Sequence, residues 1–184
     1  MSTPEAHRSI SVEEYLALEA TSAVRHEYVS GAVHALAGGS KRHALIVSNL
    51  VAWLRPAARG RGCRVYAADV KLRAASDVFY YPDVIVACGP DQGGALIETA
   101  PCLLVEVLSD STAAIDRREK LHAYKQIPSL RSYLIVHQPD GRIERHWRDA
   151  DGVWWTADLV KAGEIPLPEI DATLSLESAY EGVG

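Results

Sequence analysis

The sequence predicts an α/β protein in which a mixed sheet is flanked by helices. Helix-type and strand-type patterns alternate along the chain. The run Leu103–Leu108 has the continuous apolar character of a strand buried on both faces. Asp140-Gly141 is a hairpin signal between two strand-like runs. Because the chain has 184 residues, 48% of them hydrophobic, we expect a single globular domain over residues 1–184.

The N-terminal segment is predicted to form a helix followed by a hairpin. Ser11 is followed three residues later by Glu14, a capping-box pattern that indicates a short helix. Residues 26–36 carry two strand-like runs around a Ser30-Gly31 turn.

A longer helix is predicted next, and His43 lies on it. Ser40 is the cap candidate, and the apolar periodicity continues to about Leu54. Pro56 and Gly60 are expected to close this helix. His43 lies one turn before the apolar face, where a histidine is more often a core or capping residue than a catalytic one.

The second half of the chain alternates strands with one more helix. Residues 109–112 (Ser-Asp-Ser-Thr) supply cap candidates for a helix that ends before Pro128. Trp154-Trp155 is expected to continue a C-terminal β-meander. The strand-like runs are residues 63–72, 83–88, 102–108, 133–136 and 142–147.

Composition excludes several classes of protein. No apolar run approaches the roughly 18 residues of a membrane span, and the N-terminus lacks a signal pattern. Three cysteines without a Cys-x-x-Cys pair indicate reduced, buried thiols in a cytoplasmic protein and no zinc site. The net charge is −5, but residues 55–73 carry six basic residues against one acid, which leaves room for a locally basic face.

Glu106 stands in the middle of the apolar run and is the strongest candidate for chemistry. A buried carboxylate needs a metal ion, a basic partner or a raised pKa. Asp83 begins a neighbouring strand-like run, so the two acids are expected to converge on one point, where oxygen ligands suit Mg²⁺. Asp116, Lys120 and Tyr124 are spaced four apart and form one stripe of a helix.

Each of these residues also has a purely structural interpretation. Glu106 could form an ion pair with Lys71, Lys120 or an arginine. Asp83 is also a common residue type at a turn after proline. Lys120 could be an exposed lysine paired with Asp116, and Tyr124 could be a core residue.

The motifs taken together resemble a known family. They are Tyr81-Pro82-Asp83 with its following strand, the run through Glu106 to residue 112, residues 116–120, Tyr124, and residues 127–136, with the 28–31 hairpin, residues 37–40 and His43 upstream. In this order they resemble the bacterial family of restriction-endonuclease-like proteins within the PD-(D/E)xK nuclease superfamily. The resemblance covers about residues 12–180 and implies a nuclease core at about residues 24–160.

The resemblance implies DNA cleavage that depends on Mg²⁺ or Mn²⁺. It makes Asp83 and Glu106 metal ligands, and Glu27 an additional acid near the metal. Leu108 stands where the motif lysine belongs, so the resemblance implies that Lys120 has taken that role from the following helix. His43 and Tyr124 are accessory candidates at the same site.

DNA and a second copy of the chain are the expected partners, and no organic cofactor or membrane is expected. We expect four basic residues to hold the phosphate backbone, namely Arg59, Arg61, Lys71 and Arg73. The alternatives are a non-catalytic nucleic-acid-binding or interaction module that retains the fold, and a hydrolase for small phosphate esters.

Overall fold

The computed structural model describes residues 9–90, 96–108 and 116–184. Within these residues one sheet has six strands in the order β11-β10-β9-β8-β6-β3. Its strands are β3 (Arg64–Ala67), β6 (Val84–Ala87), β8 (Leu103–Leu108), β9 (Ser132–His137), β10 (Arg142–Arg148) and β11 (Trp154–Val160). Since β8 and β9 are parallel and the other neighbours antiparallel, the predicted mixed sheet and C-terminal meander are confirmed.

Two smaller sheets complete the described strands. A five-stranded sheet has the order β2-β1-β5-β4-β7, and β12 pairs with β13. These strands are β1 (His26–Val29), β2 (Ala32–Ala35), β4 (Lys71–Ala75), β5 (Val78–Tyr80), β7 (Ile97–Glu98), β12 (Glu164–Leu167) and β13 (Ala172–Ser175). The antiparallel pair β1–β2 confirms the predicted N-terminal hairpin.

Helices flank the sheets. The described ones are α1 (Val12–Thr21), α2 (Lys41–Gly60), a π-helical turn (Asp116–Lys120) that runs into α3 (Leu121–Lys125), a 3₁₀ turn (Pro168–Ile170) and α4 (Leu176–Ala179). Ser11 and Glu14 form the predicted capping box at the start of α1. None of the described helices is long and apolar enough to cross a membrane.

Two predicted boundaries are wrong. Helix α2 continues through Pro56. Proline has no backbone N–H, so the carbonyl of Ala52 is left without its helical hydrogen bond. Both residues are exposed, so solvent can satisfy this carbonyl. The predicted strand 63–72 is broken, since Ala68 and Asp69 adopt positive φ angles of 46° and 56° between β3 and β4. The predicted caps at residues 109–112 and the side chain of Asp116 lie outside what the structure describes.

The six-stranded sheet has a core on each face. Side chains alternate along β8, so Val105 and Val107 pack with Leu50 and Leu54 of α2. Leu104 and Leu108 face the other way, toward α3. All six residues of β8 are buried, as predicted, and Glu106 falls between Leu104 and Leu108 on the α3 side.

The cysteines differ from the sequence-based prediction. Cys63 and Cys88 form a disulfide, and Cys102 is a buried free thiol. The expectation of three separate reduced cysteines is therefore wrong. Strand register brings the three cysteines together. Arg64, next to Cys63, pairs with Ala87, next to Cys88, and Val86 pairs with Leu103, next to Cys102.

Candidate active site

Strand β8 carries Glu106 into the interior of the protein. The residue is only 6% exposed, and Leu104 and Leu108 flank its side chain on the same face. Its Oε1 accepts hydrogen bonds from the Lys120 ammonium at 3.3 Å and the Tyr124 hydroxyl at 2.8 Å. The carboxylate therefore has two donors, both supplied by the helical segment after β8.

Lys120 lies between two carboxylates that come from different sheets. Its Nζ is 2.8 Å from Oε1 of Glu27 on β1 and 3.3 Å from Oε1 of Glu106 on β8. The lysine is 5% exposed, and its Nζ lies 5.4 Å from the ring centroid of Tyr80. This single ammonium group joins the π-helical turn to both sheets.

Tyr124 is held by other aromatic rings. Its ring packs edge-on against Tyr80, with centroids 5.5 Å apart, and against Tyr133 at 5.0 Å. The ring is fully buried, so it fixes the direction of the hydroxyl that donates to Glu106. Tyr124 is both a core residue and a site residue.

Asp83 stands just before β6 and uses both carboxylate oxygens. Oδ2 accepts the backbone N–H of Val107 at 2.7 Å, and Oδ1 lies 3.1 Å from Nε2 of His43. His43 is in the first turn of α2, where its own N–H donates to the Ser40 side chain. Asp83 thus connects the start of α2 to the residue that follows Glu106.

Burial dominates the electrostatics of Glu106. It raises the pKa of the Glu106 carboxyl to about 8, Lys120 and the Tyr124 hydrogen bond oppose this rise, and the charges of Asp83 and Glu27 add to it. The hydrogen bond to Asp83 raises the pKa of His43 above its usual value, against the effect of burial. The charges of Asp83 and Glu27 thus reach Glu106 through a poorly solvated space.

The donor set suits a hard divalent cation. Asp83, Glu106 and Glu27 are three carboxylates that share two cationic partners, and one of these, His43, is neutral at high pH. When Glu106 is ionised, the surplus of negative charge among these carboxylates favours an ion with oxygen ligands. In the described residues, however, the three carboxylates do not close around one point, since Lys120 lies between two of them and Asp83 contacts His43.

Comparison with known proteins places the chain in a family. Residues 12–177 match the family Uma2, which is described as "Putative restriction endonuclease". The chain belongs to the Uma2 family. This confirms the resemblance predicted from the motifs around Asp83 and Glu106.

Two cyanobacterial proteins are similar to this Uma2 chain over most of their length. "Uncharacterized protein slr1290" of Synechocystis sp. is 34% identical over 95% of this chain and 93% of its own. "Uncharacterized protein sll1609" of the same organism is 30% identical over 82% of this chain and 88% of its own.

A solved structure shares the fold. It is described as "a putative nuclease belonging to DUF820 from Anabaena variabilis", and it superimposes with a TM-score of 0.77 over 93% of this chain and 97% of its own. The sequence identity is 18%, so the match shows a nuclease-type fold for this Uma2 chain and no more.

The four predicted phosphate-binding residues are not gathered at the site of this Uma2 protein. Arg59 and Arg61 are exposed at the far end of α2. Arg59 is 16 residues from His43, or about 24 Å along the helix. Arg73 is exposed, and its guanidinium group donates to the carbonyls of Ala75 and Ser76.

Lys71 departs from the expectation of a phosphate contact. It is 7% exposed, and its Nζ lies over the rings of Tyr15 at 4.8 Å and Tyr81 at 5.9 Å. Burial lowers its pKa, although the charge of Glu19 opposes this. Lys71 is therefore an internal cation, not part of an exposed basic face.

Two residues at the site were not predicted from the sequence. The Tyr80 ring lies beside Lys120, and Gln138 accepts from Ser40 at 2.9 Å and donates to the Leu108 carbonyl at 2.6 Å. Tyr80 is near Asp83 in the sequence, which is a local signal that could have found it. Gln138 has no such signal, since its role depends on how α2 packs against β8.

Proposed function

We propose that this chain is a DNA endonuclease that hydrolyses phosphodiester bonds with the help of a divalent cation. The observation that carries the proposal is the position of Lys120, 3.3 Å from Glu106. Phosphodiester hydrolysis needs a cation near the developing charge, and Leu108 cannot supply one from β8. Membership in the Uma2 family and the nuclease-type fold support the same reading.

Asp83 and Glu106 would hold Mg²⁺ or Mn²⁺, as the hard oxygen donors of the site. When bound, the ion would polarise the phosphate and lower the pKa of a water molecule. Glu27 has a different role from the two metal ligands, because its carboxylate lies closer to the Lys120 ammonium than that of Glu106 does. We assign it the positioning of the lysine.

Lys120 would stabilise the charge that develops on the phosphate. Its ammonium group has three donors, so it can keep its contact with Glu27 while another donor turns to a phosphate oxygen. Tyr124 fixes the orientation of Glu106, and His43 fixes that of Asp83. Both act through the carboxylates and are positioning residues.

The DNA-binding surface, the homodimer and the cytoplasmic location remain predictions. A duplex rises about 3.4 Å per base pair, so the distance along α2 from His43 to Arg59 corresponds to about seven base pairs. If Arg59 and Arg61 contact DNA, they therefore contact its phosphate backbone at a distance from the scissile phosphate. Two copies of the chain would be needed to cut both strands at once.

The test is cleavage of supercoiled plasmid and of single-stranded and double-stranded oligonucleotides in a titration of Mg²⁺ or Mn²⁺. We expect nicked or linear products that require the cation and stop with a chelator. Cleavage that is unaffected by the chelator contradicts the cation dependence. Hydrolysis of a small phosphodiester without any DNA cleavage indicates the small-substrate alternative.

A non-catalytic nucleic-acid-binding module is the second candidate, and one observation favours it. Every charged group of the site already has a partner within the protein: Lys120 contacts both glutamates, and Asp83 contacts His43 and Val107. Tight DNA binding without turnover at any cation concentration would support this candidate over the endonuclease.

A further inference from the structure

Three cysteines meet at one edge of the six-stranded sheet. Cys63 precedes β3, Cys88 follows β6 and Cys102 precedes β8. Their three sulfur atoms all lie within 4.8 Å of one another. The Cys63–Cys88 disulfide accounts for two of them, whereas the Cys102 sulfur, 2.8 Å from that of Cys88, has no role in the disulfide.

The cluster combines buried ligands with an open side. Cys63 and Cys102 are each 7% exposed, whereas Cys88 is exposed. Two sulfurs are therefore held rigidly by the ends of strands, and the third gives access from solvent. A metal site needs both preorganised ligands and an entry path.

The backbone of Glu169 passes beside the sulfur of Cys88. Its backbone carbonyl is 3.9 Å from the sulfur of Cys88, and its side chain is near enough to Cys102 to act on it electrostatically. Ser132 is near enough to favour the ionised carboxylate. Yet both carboxylate oxygens are buried without a hydrogen bond of ordinary geometry to any described residue. The charges of Arg145 and Arg131 also favour the ionised carboxylate, so Glu169 has compensating charges apart from the sulfurs.

We propose that the reduced chain binds one zinc ion through Cys63, Cys88 and Cys102, with a water molecule from the open side at Cys88 as the fourth ligand. Zinc binds thiolates at about 2.3 Å in a tetrahedron, which puts the sulfurs about 3.8 Å apart. The observed cluster needs only a small rearrangement to reach that geometry once the disulfide opens.

The reaction balances with a reductant of the dithiol class. The dithiol gives two electrons and two protons to the Cys63–Cys88 disulfide and becomes a disulfide itself. Zinc then displaces one proton from each of three thiols, and these protons pass to the solvent. The disulfide form keeps one thiol and does not bind the ion.

This zinc site is separate from the carboxylate site. Cys88 and Asp83 lie at opposite ends of β6, five residues and about 16 Å apart. The bound ion would tie the ends of β3, β6 and β8 together, so its role is structural. The proposal does not depend on the proposed nuclease activity.

The test uses the full chain, reduced under anaerobic conditions, with Co²⁺ as a spectroscopic probe and Zn²⁺ as the competitor. We expect one Co²⁺ per chain, thiolate-to-cobalt charge-transfer bands in the near ultraviolet, and loss of these bands when Zn²⁺ is added. Cys102→Ser should weaken binding by at least about 100-fold. Glu169→Gln should keep the charge-transfer bands, because Glu169 is not a ligand.

The matched control is Glu106→Gln, measured with excess Mg²⁺, which should leave the charge-transfer spectrum unchanged. A spectrum with oxygen ligands alone, or full retention of the bands in Cys102→Ser, overturns the proposal. If Cys102→Ser does not fold, alkylation of the wild-type chain decides. Zinc should slow the modification of all three cysteines together, and equal rates with and without zinc contradict the site.

Discussion

The Lys120 ammonium group lies 3.3 Å from the Glu106 carboxylate, although the two residues come from different elements and are 14 positions apart. The same ammonium contacts Glu27 of the other sheet. A helical lysine therefore reaches the space beside the strand glutamate. This relationship underlies the proposed chemistry.

Replacing Lys120 with methionine should damage both activity and stability. Breaking a buried ion pair by removing one partner costs about 3–5 kcal/mol, and loss of a donor to the developing charge lowers kcat by about 10²–10³-fold. Lys120→Arg should recover part of the stability and little of the activity. Urea unfolding and initial cleavage rates measure the two effects.

Arg118→Met is the matched control, because Arg118 is exposed on the same helical turn. It should unfold at nearly the wild-type urea concentration. If Lys120→Met behaves like this control in both assays, Lys120 has neither role.

The pH dependence of stability should reveal the buried carboxyl of Glu106. Its pKa is raised to about 8 in the folded protein, so between pH 4.5 and 8 the folded state holds a proton that the unfolded state has lost. The free energy of unfolding of the metal-free protein should therefore fall as pH rises through this window. Divalent-cation affinity should rise over the same window, because binding must displace that proton.

Glu106→Gln should remove this component of the pH dependence, whereas the exposed Glu13→Gln should keep it. Urea unfolding at several pH values between 5 and 9 measures the difference. Parallel curves for wild type and Glu106→Gln contradict a raised pKa at this position.

Tyr124→Phe should act through Glu106. It removes the 2.8 Å hydrogen bond to the carboxylate, which should cost about 1–3 kcal/mol and raise the pKa of Glu106 further. The pH at which cation binding reaches half its maximum should shift upward. Tyr28→Phe, which removes a hydrogen bond to the Ile10 carbonyl, should lower stability without moving that midpoint.

His43→Gln should destabilise the protein mainly at low pH. The pKa of His43 is raised by Asp83, so its contribution is fully present below pH 6.5 and is lost as pH rises through the folded pKa. The stability difference between wild type and variant should be larger at pH 6 than at pH 9. The exposed His34→Gln serves as the control, and an equal difference at both pH values argues against a charged His43–Asp83 pair.

The double variant Arg59→Ala/Arg61→Ala should weaken the salt dependence of DNA binding. Each lost phosphate contact reduces the slope of log K against log salt by about 0.9, so we expect a change of about 1.8. Lys71→Met should leave the slope unchanged, because Lys71 is buried. An unchanged slope in the double variant would show that DNA binds to another surface of the protein.

Local sequence patterns were sufficient to predict much of the fold and the part of the site around Glu106. The apolar run around Glu106 predicted a strand buried on both faces, and the spacing of Lys120 and Tyr124 predicted one helical stripe. Both are properties of neighbouring residues, which periodicity records directly. In the structure both of these side chains contact Glu106.

Contacts between distant strands could not be predicted in this way. The Glu27–Lys120 pair depends on β1 joining the second sheet, and the meeting of Cys63, Cys88 and Cys102 depends on the register of β3, β6 and β8. Lys71 is buried because the chain turns at residues 68–69 and β4 starts afresh in the other sheet. Register and strand breaks are set by tertiary packing, which a single sequence does not display.

The most direct test of the proposed endonuclease compares plasmid nicking by wild type, Asp83→Asn, Glu106→Gln and the exposed control Glu164→Gln in 0 to 10 mM Mg²⁺ or Mn²⁺. Circular dichroism should first show that all four chains fold. We predict cation-dependent nicking by wild type and the control, and at least about 100-fold lower rates for Asp83→Asn and Glu106→Gln. Folded Asp83→Asn and Glu106→Gln proteins that nick DNA at the wild-type rate would contradict the assignment of the site.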